Sequence, residues 1–104
     1  MINFELDAHG FLKQFDAWCD DFVMQIATAE NLTLTQDHWI IIHFFRDFYQ
    51  QYQLTPSLRV LIKYLRSKWP EEKATSFYIQ TLFPQGVMLQ ASRLAGLPKP
   101  ARCL

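Results

Sequence analysis

Hydrophobic residues fall along this chain in two rhythms. At the start Ile2, Phe4 and Leu6 alternate with Asn3, Glu5 and Asp7, and the turn-forming Ala8-His9-Gly10 leads into Phe11-Leu12, the pattern of a short β-hairpin. From Asp16 the spacing changes to three and four residues. Phe15, Trp18, Cys19, Phe22 and Ile26 predict an amphipathic helix with Asp16, Asp20 and Asp21 in its first turns, where the helix dipole favours acids. Thr35 is placed to cap a second helix running through Trp39, Ile42, Phe45 and Tyr49 to Gln53; apolar on nearly every side, it is expected to be central and buried. Thr55-Pro56 reads as a cap with proline at the first helical position of a third helix. Its apolar stripe is Leu58, Leu61, Ile62, Leu65 and Trp69, and its other face carries Arg59, Lys63 and Arg66. With so short an interval between them, the second and third helices are expected to form a tight helix-turn-helix pair.

Pro70 ends that helix, and Glu71 to Ala74 connect it to a short fourth helix around Thr75 to Phe83. Pro84-Gln85-Gly86 breaks the chain, a fifth helix follows from Val87 to Ala95, and Gly96 sits where a left-handed C-cap is expected. Pro98 and Pro100 forbid a helix beyond it and favour an extended, stiffened tail from Leu97 to Leu104. The expected fold is mainly α: a single domain over residues 1–104, with about five helices, a helix-turn-helix pair, an N-terminal β-hairpin and an extended C-terminal arm over 97–104. A chain of 104 residues, half of them apolar, buries roughly two-thirds of its unfolded surface, enough for one core.

Charge adds a polarity that the periodicity does not show. The formal net charge is zero, but residues 1–50 hold eight acids and two bases, net −6, and residues 51–104 hold eight bases and two acids, net +6. A basic face suited to phosphate or to an acidic protein follows, as does the simpler outcome that the halves attract each other within the fold. The first residues lack the basic and apolar regions of a signal peptide, so a cytoplasmic chain is expected. The longest uncharged run, Ala74 to Ser92, contains three Gln, a Pro and a Gly and does not read as a membrane helix.

Candidate chemistry concentrates on one residue. Cys19 shares the stripe of the first helix and is expected in the core. Cys103 is the penultimate residue, on a tail of eight residues that spans at most about 26 Å, enough to carry a thiol into a partner's active site. Lys99 and Arg102 favour its thiolate and the terminal carboxylate opposes them; an incidental cysteine near a chain end fits the same position. Arg59, Lys63 and Arg66 suit phosphate contacts on one helix face, or simply solvent, and Pro56-Ser57-Leu58 offers little for base readout. His38 and His43 lack the spacing of a zincin motif and His9 lies in a turn, so no metal site is expected. There is no glycine-rich phosphate loop and no Gly-x-Ser-x-Gly elbow.

The tail Gln90-Ala91-Ser92-Arg93-Leu94-Ala95-Gly96-Leu97-Pro98-Lys99-Pro100, with Cys103 penultimate, resembles the C-terminal signature of the DsrC/TusE sulfur-carrier family. The resemblance extends to Gly10-Phe11-Leu12, Asp16-x-Trp18, Leu34-Thr35-x-x-His38-Trp39, Arg46-x-Phe48-Tyr49, Pro56-x-x-Arg59-x-Leu61 and Leu82-Phe83-Pro84-x-Gly86. It implies a small helical domain with an N-terminal hairpin and a mobile arm. Members acting with dissimilatory sulfite reductase carry two tail cysteines eleven residues apart, and here the earlier position is Ser92. The single cysteine is similar to the TusE-like branch, which implies a cytoplasmic sulfurtransferase that carries a persulfide on Cys103. It would accept sulfur from a TusBCD-like complex and pass it to an MnmA-like thiouridylase with tRNA for wobble 2-thiouridine. The resemblance calls for no cofactor and no stable homo-oligomer. Lys99 and Arg102 would support the thiolate or docking, and Arg59, Lys63 and Arg66 would dock a partner or its phosphates. A sulfite reductase accessory subunit and a helix-turn-helix nucleic-acid binder are the alternatives.

Overall fold

The computed structural model describes residues 3–100. Five α-helices follow a single 3-10 turn, Phe15–Ala17: α1 Asp20–Ala29, α2 Gln36–Tyr52, α3 Leu58–Arg66, α4 Ser76–Leu82 and α5 Val87–Leu94. The short α5 is the hub, packing on α1, α2 and α4. Its Val87, Gln90, Ala91, Ser92 and Leu94 are all buried, against Phe22, Val23 and Ile26 of α1, Ile41, Ile42 and Phe45 of α2, and Ile79 and Leu82 of α4 in one core.

Several helix ends are set by local chemistry. The Thr35 amide donates to His38 Nδ1 at 3.0 Å, a reciprocal cap in which histidine takes the place of the usual glutamate. Ser57 Oγ accepts from the Val60 amide and Thr75 Oγ1 from the Tyr78 amide, both at 3.2 Å, opening α3 and α4. Gln53 ends α2 in the left-handed region with φ +58°.

The structure departs from the expected elements at four places. The N-terminal hairpin is not formed: among the described residues there are no strands, only an isolated antiparallel bridge between Leu6 and Leu12. The Asp7 carboxylate accepts from the amides of His9 and Phe11, folding 7–11 into a tight turn. Phe11 and Leu12, adjacent in sequence, are both buried, which a period of two does not allow. The first helix starts later than expected because Trp18 and Cys19 are extended, and Cys19 is the half-buried residue at the N-cap of α1. The 3-10 turn keeps Phe15 and Trp18 packed on the core, which is why they share the apolar spacing of the helix that follows. The third helix is capped by Ser57, not Thr55, which leaves Pro56 buried ahead of it and lengthens the α2–α3 connection to residues 53–57. Finally, α2 buries one face only, His38, Ile41, Ile42 and Phe45.

His38 joins α2 to α4. With Nδ1 accepting from Thr35, Nε2–H donates to the Leu82 carbonyl at 2.7 Å, which requires the neutral ring. Burial holds its pKa below the ordinary 6.5, with the Leu82 carbonyl and Asp37 opposing. The unfolded chain therefore binds the proton first as pH falls. Stability is expected to be full above about pH 6.5 and to decline below it toward the lower native pKa, by at most about 1.4 kcal/mol per pH unit from this one residue. Urea unfolding at pH 7.5 and 5.5 checks this: the loss at pH 5.5 should shrink in His38→Gln, and an unchanged loss would exclude His38 as its source.

Candidate functional site

The sequence places its candidate nucleophile on the arm, so the site begins where the arm leaves the core. The last four carbonyls of α5 and its cap are all satisfied there. The Leu97 amide donates to Ser92 O at 3.0 Å and the Gly96 amide to Arg93 O at 3.3 Å, a Schellman motif around Gly96 with φ +74°. Trp18 Nε1 donates to Leu94 O at 2.8 Å, and Arg46 Nη1 to Ala95 O at 2.9 Å. The guanidinium lies over the Phe15 ring at 3.7 Å and the Trp18 ring at 4.3 Å from their centroids. A cation at the negative end of α5, flanked by aromatic faces, is favourable on both counts. Burial lowers the Arg46 pKa, with Asp16 and Asp47 opposing.

Leu97, placed at the start of the arm by the sequence, is fully buried. Pro98 and Lys99, which follow it, are exposed. Pro98, Lys99 and Pro100 form one wall of a groove of about 700 Å³ whose other walls are the end of α2, residues 54–57, and Met88 and Leu89 of α5. Lys99 is exposed and Arg59, Lys63 and Arg66 all project from α3 into solvent. Lys63 lines a different groove, between α2 and α3, with Phe44, Phe48 and Tyr64. The structure thus places Lys99 beside the N-terminal end of α3 but does not gather all four cations at one point. Arg102 and Cys103 lie outside the described residues.

Behind the arm root, α5 is pinned by a polar network. Glu30 accepts from Gln90 Nε2 at 3.0 Å and from Arg93 Nη1 at 2.6 Å, a half-buried ion pair, and Gln90 Oε1 accepts from the Gln85 amide. Ser92, eleven residues before Cys103, is fully buried, and its Oγ has no partner among the described residues. A second ion pair, Lys73 with Asp37 at 2.9 Å, joins Tyr78. Burial works to raise the Asp37 carboxyl, but the Lys73 and Tyr78 hydrogen bonds outweigh it and hold its pKa below the ordinary value. No cluster of metal-ligating side chains occurs among the described residues, and no helix among them is long and apolar enough to cross a membrane.

Sequence reasoning gave Trp18 and Arg46 no role as anchors. The available signal was Arg46 as the one basic Lys or Arg side chain of α2, set among the aromatics Phe44, Phe45, Phe48 and Tyr49.

A small helical domain that fixes the root of a cysteine-bearing tail is a recognisable class. The family described as DsrC like protein matches residues 2–104, and the chain belongs to it. It is 46% identical over 103 residues to a protein named Sulfurtransferase TusE homolog in Haemophilus influenzae, covering 99% of this chain and 94% of that one. It is 40% identical over 100 residues to Sulfurtransferase TusE of Escherichia coli K12, covering 96% and 92%. The fold is similar to the NMR structure of Allochromatium vinosum DsrC, with TM-score 0.85 and 42% identity over 97% of this chain and 90% of that one. It is similar also to the oxidized gamma-subunit of the dissimilatory sulfite reductase from Archaeoglobus fulgidus, with TM-score 0.86 and 35% identity over 97% and 92%.

Proposed function

We propose that this chain is a sulfur-relay protein that carries sulfur as a persulfide on Cys103, accepting it from a TusBCD-like donor and delivering it to an MnmA-like thiouridylase for wobble 2-thiouridine in tRNA. The observation that supports this best is a tail with one cysteine, rooted on a rigid helix end, in a chain similar over almost its whole length to proteins named sulfurtransferase TusE. The Cys103 thiolate attacks the outer sulfur of a donor persulfide R–S–SH. The donor S–S bond breaks, R–S⁻ leaves with the electron pair, and Cys103–S–SH forms; attack by an acceptor thiolate on that outer sulfur then regenerates the Cys103 thiolate. Each step exchanges one S–S bond for another, so no outside oxidant or reductant is needed. Lys99 and Arg102 favour the thiolate as nearby cations.

Ser92 weighs against the role of sulfite reductase subunit for which the Archaeoglobus fulgidus protein is named. A serine there cannot pair with Cys103 as a second cysteine would.

Mass spectrometry after incubation with cysteine persulfide tests the reading. The peptide containing Cys103 is expected to gain about 32 Da, one sulfur atom, and to lose it on treatment with a thiol reductant. Addition only at Cys19, or at neither cysteine, would overturn it.

A further inference from the structure

We propose that the groove at the root of the arm is where proteins that exchange sulfur with this chain dock, and that its occupant is a protein segment presenting an apolar side chain beside a carboxylate. The inference rests on the sulfur-carrier reading above. Reach supplies the first argument. Cys103 follows Pro100 by three residues, so its Cα lies within about 11 Å of a residue that lines the groove. A partner whose sulfur meets Cys103 must come inside that radius.

The chemistry of the groove supplies the second. Leu54 is 65% and Leu89 40% exposed, and together with Met88, Pro98 and Pro100 they give the groove an apolar lining. Lys99 stands on its wall, and no carboxylate of the described residues lines the groove. An apolar lining with a cation on its wall complements an acidic, apolar segment. The groove between α2 and α3 does not share these properties: Asp47 and Lys63 face it together, and none of the described arm residues lines it.

Sulfur loading from two sources tests the proposal. The full chain, Leu54→Glu, Leu54→Glu/Leu89→Glu and Leu54→Met are each charged with cysteine persulfide or with a persulfide-loaded TusBCD complex. All four are expected to load equally from the small molecule. From the protein donor the glutamate variants should load about tenfold more slowly, the size of effect that loss of one interface anchor produces, and Leu54→Met should keep the wild-type rate. Salt should slow the wild-type transfer as the complementary charges are screened. Wild-type rates from the protein donor in the double variant would overturn the proposal. So would variants that bind tRNA less well while accepting sulfur normally from the donor, which would assign the groove to RNA. If the wild type takes sulfur from neither source, the carrier reading falls and the docking proposal with it; a failure of docking alone leaves small-molecule loading intact.

Discussion

Cys103→Ser is expected to accept no sulfur from any donor, and cells whose only copy carries it should lose wobble 2-thiouridine entirely. A serine hydroxyl is not appreciably ionised near neutrality, whereas a cysteine thiol supplies a few per cent of a strongly nucleophilic thiolate even without help. Nor can the serine oxygen hold a sulfane sulfur in a reversible S–S bond. Cys19, the half-buried thiol at the start of α1, provides the comparison: Cys19→Ser should load as wild type does. Nucleoside analysis of tRNA and intact-protein mass spectrometry read both outcomes. Normal thiolation in the Cys103→Ser strain, or loss of loading in Cys19→Ser, would remove the reactive role from the tail.

The second large effect is structural. A Cβ on Gly96 would stand 2.6 Å from Trp18 Cδ1, 3.1 Å from Arg46 Nη1 and 3.2 Å from Leu12 Cδ2, in a residue whose φ is +74°. Alanine in the left-handed region costs roughly 1–2 kcal/mol by itself. The close approach also forces Trp18 or Arg46 aside, breaking a hydrogen bond to Leu94 O or Ala95 O and leaving a carbonyl at the end of α5 unpaired. Gly96→Ala is therefore expected to lose about 2–4 kcal/mol, which for a domain of this size lowers Tm by about 10–20 °C. Gly10→Ala separates the two contributions. Its φ is +86°, but the nearest neighbour to an added Cβ is Arg93 Nε at 3.9 Å, an ordinary contact, so only the backbone cost applies. If thermal unfolding finds Gly96→Ala no worse than Gly10→Ala, the Trp18–Arg46 clamp is not holding the helix end.

Features whose physics is local were legible in the sequence. Thr35 as a cap, the break at residues 84–86 and Gly96 as a left-handed C-cap depend on neighbours a few residues away, and each is found where it was expected. The starts of α1 and α3 were not, because Thr55 and Ser57 are both acceptable caps and burial of Pro56 favours the second. The alternation of Phe4 and Leu6 indicated a strand, but a ladder also needs a partner, and the turn at Asp7 leaves room for one bridge. Arg46 was the least legible. Its meaning depends on Phe15, Trp18 and Ala95, distant positions that sequence spacing does not bring together. The argument for the tail cysteine is chemical and rests on the sequence alone, since Cys103 lies outside the described residues.

Burial of Leu97 makes it the fixed end of a tether. Cys103 follows it by six residues, so whatever course the tail takes, that residue stays within about 20 Å of the anchor. One thiol confined to so small a volume corresponds to a local concentration on the order of tens of millimolar for anything seated at the base of the tail. On the sulfur-carrier proposal, exchange at that concentration does not require a long-lived complex, so a partner that binds weakly, reacts and leaves suffices. A longer tail would dilute the thiol, and a shorter one would restrict which surfaces it could meet.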